Sequence, residues 1–468
     1  MTLLLESGCA SESAAAFLYA RRFAGKAGPD GRRSPFPGET PRDPSESQRI
    51  PANPNGRSFE KEVFKVKEIS IMKKKFFAMV MAGVMAVSVL AGCGSNNTPA
   101  ASGSGAASDG NDSAQTFKIG AIGPLSGPYA IYGQAVANGA QIAVDEINAM
   151  GGDFKFELSA QDDEGDGEKS VNAYNNLMDW GMQVLVGPTT TGASVTVAAK
   201  CYEERTFMLT PSASSVDVTA GKDNVFQVCF TDPNQGTGSA DYIAEHFAGE
   251  NVAVIYQNDN PYSQGIRDTF VAEASAQGVN VVSETTFTTD TASDFSVQIN
   301  AAKSAGATVM FLPIYYQEAS IILKQSQAAG YEPTFFGVDG MDGILTMEGF
   351  DASLAEGVML LTPFSADAED ERTQTFVSAY QAKYGETPNQ FAADAYDGVY
   401  IVYEALKAAG CTADMSPSDI CEALVGVMTT ISVDGLTGQG MTWNANGEVA
   451  KAPMAVVIKD GVYVTPEN

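Results

Sequence analysis

From Thr116 onward, short apolar runs alternate with longer amphipathic stretches, and few architectures accept that order. "TFKIGAIGPL" reads as a strand ending in a Gly/Pro loop. "YGQAVANGAQIAVDEINAMGG" reads as a helix with a Gly-Gly stop. "FKFELSAQDD", "MQVLVG" and "TFMLT" read as strands, separated by the helical stretches "GEKSVNAYNNLMDWG" and "GASVTVAAKCYEER". The alternation continues through "DYIAEHFAGE", "NVAVIYQ", "SQGIRDTFVAEASAQG", "VNVVSETTF", "DFSVQINAAKSAG", "ATVMFLPI", "EASIILKQSQAAG" and "PTFFGV". Strands alternating with helices of this length predict βαβ units and mainly parallel sheets. Right-handed crossovers put helices on both faces of such a sheet. There are too many strands for one comfortable sheet, and the unit begins again near residue 233. The pattern predicts an α/β protein of two doubly wound lobes.

One junction raises a chemical question. In "LVGPTTTGASVTVAA", residues 185–199, a strand hands over to a helix through Thr189, Thr190, Thr191 and Ser194. Hydroxyls at a helix start can cap it. They can also face an anion held at the positive end of the helix dipole.

Charge and rare residues exclude several classes. Residues 1–93 hold 14 of the 28 Lys and Arg but only 9 of the 57 Asp and Glu. Residues 94–468 therefore carry 48 acidic and 14 basic residues, a formal net of −34. Such a surface repels nucleic acid, and its scattered acids fit solubility better than an acidic tail. His246, in an amphipathic helical stretch, is the one histidine. His-rich zinc sites and metalloprotease motifs therefore have no ligands. A Ser-His-Asp site would have to use His246, and no Gly-x-Ser-x-Gly elbow accompanies it. Cys201, Cys229, Cys411 and Cys421 lie in the folded part and form no Cys-x-x-Cys pair. Cys411 and Cys421, ten apart, either pair or remain free thiols.

Residues 72–95, "MKKKFFAMVMAGVMAVSVLAGCGS", carry three lysines, sixteen apolar residues and then small residues at Cys93. That is the form of a secretory signal, and the run is short for a membrane span of about 20 residues. The Gly/Ser/Asn/Ala-rich tract that follows fits a flexible tether. Residues 1–71 are rich in Pro, Arg, Ser and Gly without apolar period. Because a signal belongs at the N-terminus, Met72 is expected to be the true start, with 1–71 a disordered, mis-called extension.

Several of these segments, in this order, resemble the extracytoplasmic substrate-binding proteins of branched-chain amino acid ABC transporters, of the type I periplasmic-binding-protein fold. The likeness rests on "IGAIGPLSGPYAIYGQAVANGAQIAVDEINAMGG", "AQDDEGDGEKSV", "VGPTTTGASV", "MLTPSASS" and "GLTGQGMTWNANGEV", and covers residues 116 to about 462. It implies two lobes joined by three crossing segments: 116–232 plus 364–439, and 233–363 plus 440–468. Leu90-Ala91-Gly92-Cys93 resembles a lipobox. By that resemblance residues 72–92 are a lipoprotein signal, Cys93 the lipidated N-terminus and 93–115 a tether to the membrane.

The resemblance also implies a ligand site at strand ends, where open α/β sheets bind ligands. Thr191 would hold the carboxylate of an amino acid, with backbone N–H groups at the helix start. Ser212, through its backbone, and Ser214, through its hydroxyl, would contact both charged ends. Asp339 would face the ammonium, with Asp342 as a rival. Tyr132, Tyr262 and Tyr315 would wall the side-chain pocket, with Tyr129 and Tyr316 able to exchange roles, and Ser126 is a weaker candidate. Against each stands a plain structural role: an N-cap, a turn serine, a loop acid, a packed ring.

Two other motifs fall short. Asp162-x-Glu164-x-Asp166-Gly167 begins like a calcium loop, but its twelfth position is Ala173. Pro124 breaks the dinucleotide fingerprint in "GAIGPLSG". The expected function is capture of a small, branched-chain aliphatic amino acid and delivery to a membrane permease. No cofactor, metal, nucleic acid or covalent chemistry is expected. The same fold could instead take urea, an amide or an aromatic acid; a secreted lipoprotein hydrolase is the reading from another class.

Overall fold

The computed structural model of the protein describes residues 115–466. The expectations for residues 1–71, for the signal at 72–92 and for Cys93 and its tether lie outside the described residues.

The first five strands are β1 (Gln115–Gly123), β2 (Phe154–Asp162), β3 (Val184–Val186), β4 (Phe207–Thr210) and β5 (Val225–Gln227). They form an all-parallel sheet in the order β2-β1-β3-β4-β5. Helices α1 (Ala130–Ala149), α2 (Gly167–Trp180), α3 (Thr191–Glu204) and α4 (Val216–Thr219) make its connections. β3 and β4 are buried at every position, as parallel strands covered on both faces must be.

The chain then crosses to a second sheet through α5 (Asp232–His246). There β6 (Asn251–Gln257), α6 (Pro261–Gln277), β7 (Asn280–Phe287), α7 (Ser296–Ser304), β8 (Val309–Leu312), α8 (Tyr316–Ala328), β9 (Thr334–Gly337) and β10 (Met359–Thr362) repeat the pattern. It returns to the first sheet through α9 (Glu371–Tyr384), α10 (Gln390–Ala409) and α11 (Pro417–Met428). It crosses a third time to add β11 (Met454–Lys459) and β12 (Val462–Val464). The second sheet runs β12-β11-β10-β9-β8-β6-β7, parallel except where β11 meets β10 and β12. This is the α/β architecture of two doubly wound lobes that the alternation predicts, with three crossings between them. The antiparallel pair β11–β12 extends it. "GLTGQGMTWNANGEV" folds back through bridges at Val433–Met441 and Trp443–Val449.

The strand order positions the site. In each sheet the first strand in sequence sits between the second and third, so connections leave it in opposite directions. The crevice outside the carboxyl ends at such a switch point is where α/β sheets take ligands. In the first sheet that point lies between β1 and β3; in the second, between β6 and β8.

The acidic loop after β2 is structural. Asp162 accepts from Leu125 N (2.9 Å) and Ser126 Oγ (2.6 Å). Asp163 accepts from Gly165 N and Ser170 Oγ, and Asp166 caps α2 through Glu168 N and Lys169 N. These acids spend their lone pairs on the chain, and no cluster of metal-ligating side chains occurs among the described residues. Cys201, Cys229, Cys411 and Cys421 are free and buried, and His246 is exposed beside Tyr242. Among the described residues no helix is long and apolar enough to cross a membrane.

Candidate functional site

One small cavity gathers residues from both switch points. It is lined by Thr189, Thr190, Thr191, Ser212 and Tyr132 from the first sheet's side and by Tyr262, Tyr315, Asp339 and Gly340 from the second. Phe391, on α10, completes it. Six of the eight expected residues are therefore brought together: Thr191, Ser212, Asp339, Tyr132, Tyr262 and Tyr315.

The hydroxyl wall is built by the β3–α3 junction. Thr191 is the first residue of α3, and Thr190, extended at φ −93°, stands before it without a side-chain capping bond. The first N–H groups of a helix lack intrahelical partners, so this end attracts negative charge. Thr190 Oγ1 is buried with no partner. Thr189 Oγ1 donates to Ile122 O, and Ser194 Oγ to Pro188 O. Of the two readings of these hydroxyls, the cap is not the one used. Ser212 Oγ donates to Thr189 O at 2.7 Å, so its hydroxyl is already engaged within the wall.

The opposite wall is acidic. Asp339 follows β9 and is 3% exposed. Tyr262 donates to its Oδ1 at 2.5 Å, and Gln235 Oε1 accepts from its N–H. Burial pushes the carboxyl up to about 7, against the opposing pull of the Tyr262 hydrogen bond. Asp342, the rival acid, is occupied elsewhere: it accepts from Gly343 N (2.7 Å) and from Gln390 N at the start of α10 (2.9 Å). It borders a separate cavity of about 360 Å³, walled by Leu345, Leu360, Phe364 and Val377. There the helix start is already met by Asp342 itself.

Two expected residues are not at the cavity. Ser126 is exposed, its hydroxyl held by Asp162. Ser214 is buried but turned away, donating to Asp232 Oδ1 at 2.6 Å. Conversely, Gly340 and Phe391 line it without having been singled out, and Thr189 and Thr190 of the strand–helix junction line it beside Thr191. Phe391 lies in a helix whose apolar pattern looks like ordinary core, and only the Asn389 cap at its start marks the position.

Aromatic rings bridge the lobes. Tyr262 and Tyr315 stack at 4.8 Å, Tyr315 meets Tyr132 at 5.6 Å, and Tyr132 meets Phe391 at 4.4 Å. Tyr132 OH donates to Gly340 O and accepts from Tyr316 N at 3.2 Å. Tyr129 OH donates to Glu318 Oε1 at 2.8 Å, and Tyr316 OH to Pro128 O at 2.7 Å. Tyr129 and Tyr316 thus bind lobe to lobe, outside the cavity lining. With these contacts made, the cavity is only about 10 Å³, about the space of one water. Anything larger enters only when the lobes part.

Comparison with known proteins agrees with this layout. The family model for "Periplasmic binding protein" matches residues 116–461. The Leu/Ile/Val-binding protein homolog 3 of Brucella melitensis is 31% identical over 299 residues, which is 63% of this chain and 80% of that protein. The substrate binding protein LivJ from Streptococcus pneumoniae, a branched-chain amino acid transporter component solved in complex with isoleucine, is 29% identical. It superposes with TM-score 0.67, covering 75% of this chain and all of the other. The leucine binding protein LivK from Thermotoga maritima is 26% identical, also at 0.67, covering 75% and 98%.

Proposed function

The chain belongs to the periplasmic binding protein family, and from that premise we propose that it is the extracytoplasmic solute-binding component of an ABC importer, taking a small α-amino acid. One observation carries the reading: a single cavity opposes a hydroxyl-lined helix start, Thr189–Thr191, to a buried carboxylate, Asp339. A zwitterion has the matching ends. Its carboxylate meets the Thr191 hydroxyl, the α3 N–H groups and the Ser212 backbone. Its ammonium meets Asp339. Tyr132, Tyr315 and Phe391 offer apolar faces to an aliphatic side chain, and relatives named for leucine, isoleucine and valine support a branched-chain ligand. An aromatic acid without an amine would bring Asp339 no positive partner beyond its hydrogen bond from Tyr262.

The lobes, 116–232 plus 364–439 and 233–363 plus 440–468, open and close about the three crossings. A ligand touching both favours the closed form. No covalent step is assigned. The lipobox at Cys93 supports anchoring to the outer face of the membrane, where the loaded protein meets its permease.

Calorimetry on residues 94–468, refolded to strip ligand, tests this against leucine, isoleucine, valine, alanine and a panel of amides and aromatic acids. Micromolar or tighter binding of an aliphatic amino acid, lost in Thr191→Ala/Asp339→Ala with the fold intact, is the expected result. Binding only to an amide or aromatic acid overturns the ligand class.

A further inference from the structure

Asp232 opens α5 at the first crossing between the lobes and is 1% exposed. Its N–H donates to Ser214 O at 2.9 Å, and its Oδ1 accepts from Ser214 Oγ at 2.6 Å. Its other oxygen, Oδ2, is buried and has no partner. From Ser214 Oγ the network continues: Gln235 Nε2 donates to it at 3.3 Å, and Gln235 Oε1 accepts from Asp339 N at 3.2 Å. A chain of two side chains therefore runs from the Asp232 carboxylate to the backbone N–H of Asp339, whose own buried carboxylate lines the cavity.

Among the described residues no base forms an ion pair with either carboxylate. The groups around Asp232 are Ser214, Ser215, Asp217, Asp339, Cys229 and Tyr315, and α6 presents only Gly265 to Oδ2. Around Asp339 stand Tyr262, Gln235, Gln390, Cys229 and, further off, Asp394. The buried cation of this region, Lys451, is held by Asp394 Oδ1 at 2.7 Å, Val228 O and Thr437 Oγ1. A buried carboxylate without a counter-charge takes up a proton rather than bear the desolvation cost, and two that interact titrate as a pair.

We propose that Asp232 is a second carboxylate of the ammonium-binding end, held near Asp339 by the Ser214–Gln235 link to the Asp339 backbone and interacting with it through space, and that the pair releases a proton to solvent when the ligand's ammonium docks. This rests on the amino acid reading above. The balance is simple. Ligand-free protein carries the proton on the carboxyl pair; the incoming –NH₃⁺ keeps its own three protons and supplies the missing positive charge; the carboxyl proton leaves as H⁺. Burial holds both acids above the ordinary carboxylate range, Asp339 at about 7, which places the exchange of its proton near neutral pH. Affinity then falls about tenfold per pH unit on the acid side and levels off in mild alkali.

The test is calorimetry of the intact binding domain with L-leucine and L-isoleucine at pH 5.5 to 8.5. It uses buffers of high and low ionisation enthalpy, so that the buffer dependence counts released protons. About half to one proton near pH 6.5 is expected. Asp232→Asn removes one of the two interacting carboxyl groups, so the acid limb shifts and the proton count drops. Ser214→Ala removes a hydroxyl that favours the charged form, so the limb moves to higher pH. A merely structural role for Asp232 moves neither. Tight binding with an enthalpy independent of buffer overturns this inference alone, as does an Asp232→Asn protein that folds, by circular dichroism, and releases as many protons as before. No binding of leucine, isoleucine, valine or alanine at any pH overturns the reading of the site, and this inference with it.

Discussion

Lys451 Nζ lies 2.7 Å from Asp394 Oδ1, and both side chains are almost wholly withdrawn from solvent. The pair joins three segments: Lys451 belongs to the third crossing, Asp394 to α10, and Val228 O, a further partner of the ammonium, to the first crossing. Removing one member leaves a buried charge without a partner. Lys451→Met is expected to lower stability by about 3–5 kcal/mol, read from the denaturant midpoint. Lys451→Met/Asp394→Leu should recover much of that loss, because the second change removes the stranded charge. Equal losses in the single and double variants would mean that the pair holds little.

The stability of the ligand-free protein should fall between about pH 4 and pH 7 because of Asp339. Its carboxyl has an ordinary value of 3.8 and rises to about 7 in the fold. Within that window the native state binds more protons than the unfolded state, so stability declines as pH rises. Asp339→Asn removes the titration. It should raise the melting temperature at pH 8 by the equivalent of a few kcal/mol and change it little near pH 4, while abolishing amino acid binding. This is the cost expected of a group held for function. A constant difference across pH would show that the charge is relieved another way.

How far the sequence reveals this site depends on the range of each contact. Thr191, Tyr132, Tyr262, Tyr315 and Asp339 each follow a strand, visible as a short apolar run giving way to a 3.6 period, and the family resemblance is what singles them out there. Asp232 was not legible. "FTDPNQ" reads as a helix start, with Thr231 as cap and Pro233 in the first turn. Nothing local reveals that Ser214, 18 residues earlier, turns its hydroxyl from the cavity to that carboxylate. Phe391 was hidden for the same reason: its partner Tyr132 is far away in the chain, and a helix aromatic looks like core until the neighbouring lobe is placed. The expected role of Ser126 is lost in the same way, since Asp162, 36 residues later, claims its hydroxyl.

Closure of the ligand-free protein should depend on Tyr132. Its hydroxyl accepts from Tyr316 N and donates to Gly340 O, so one oxygen ties α1 to the second lobe. Tyr132→Phe keeps the ring contacts and deletes both bonds, each worth about 0.5–1.5 kcal/mol net. Together, about 1–3 kcal/mol moves an open–closed equilibrium roughly 5- to 150-fold. Small-angle scattering of the stripped variant should show a larger radius of gyration than the wild type. An unchanged radius would assign closure to the Tyr129–Glu318 and Tyr316–Pro128 contacts instead.

Glycines at two helix positions should respond in opposite directions. Gly139 sits where α1 meets α10, and a Cβ there would lie 1.9 Å from Ala392 O. That neighbour is backbone, so the helices must separate to admit a methyl group. Such overpacking costs about 1–3 kcal/mol or more. Gly426, exposed within α11, has nothing within 4 Å of the same position. There alanine adds no clash and removes the entropy that glycine loses in a helix, a gain of about 0.5–1 kcal/mol. Gly139→Ala and Gly426→Ala should therefore move the denaturant midpoint down and up, respectively. Because α10 also carries Phe391 and Asp394, Gly139→Ala should weaken ligand binding as well, whereas Gly426→Ala should leave it unchanged. Tolerance of alanine at Gly139 would show that α1 and α10 can slide apart without disturbing the site.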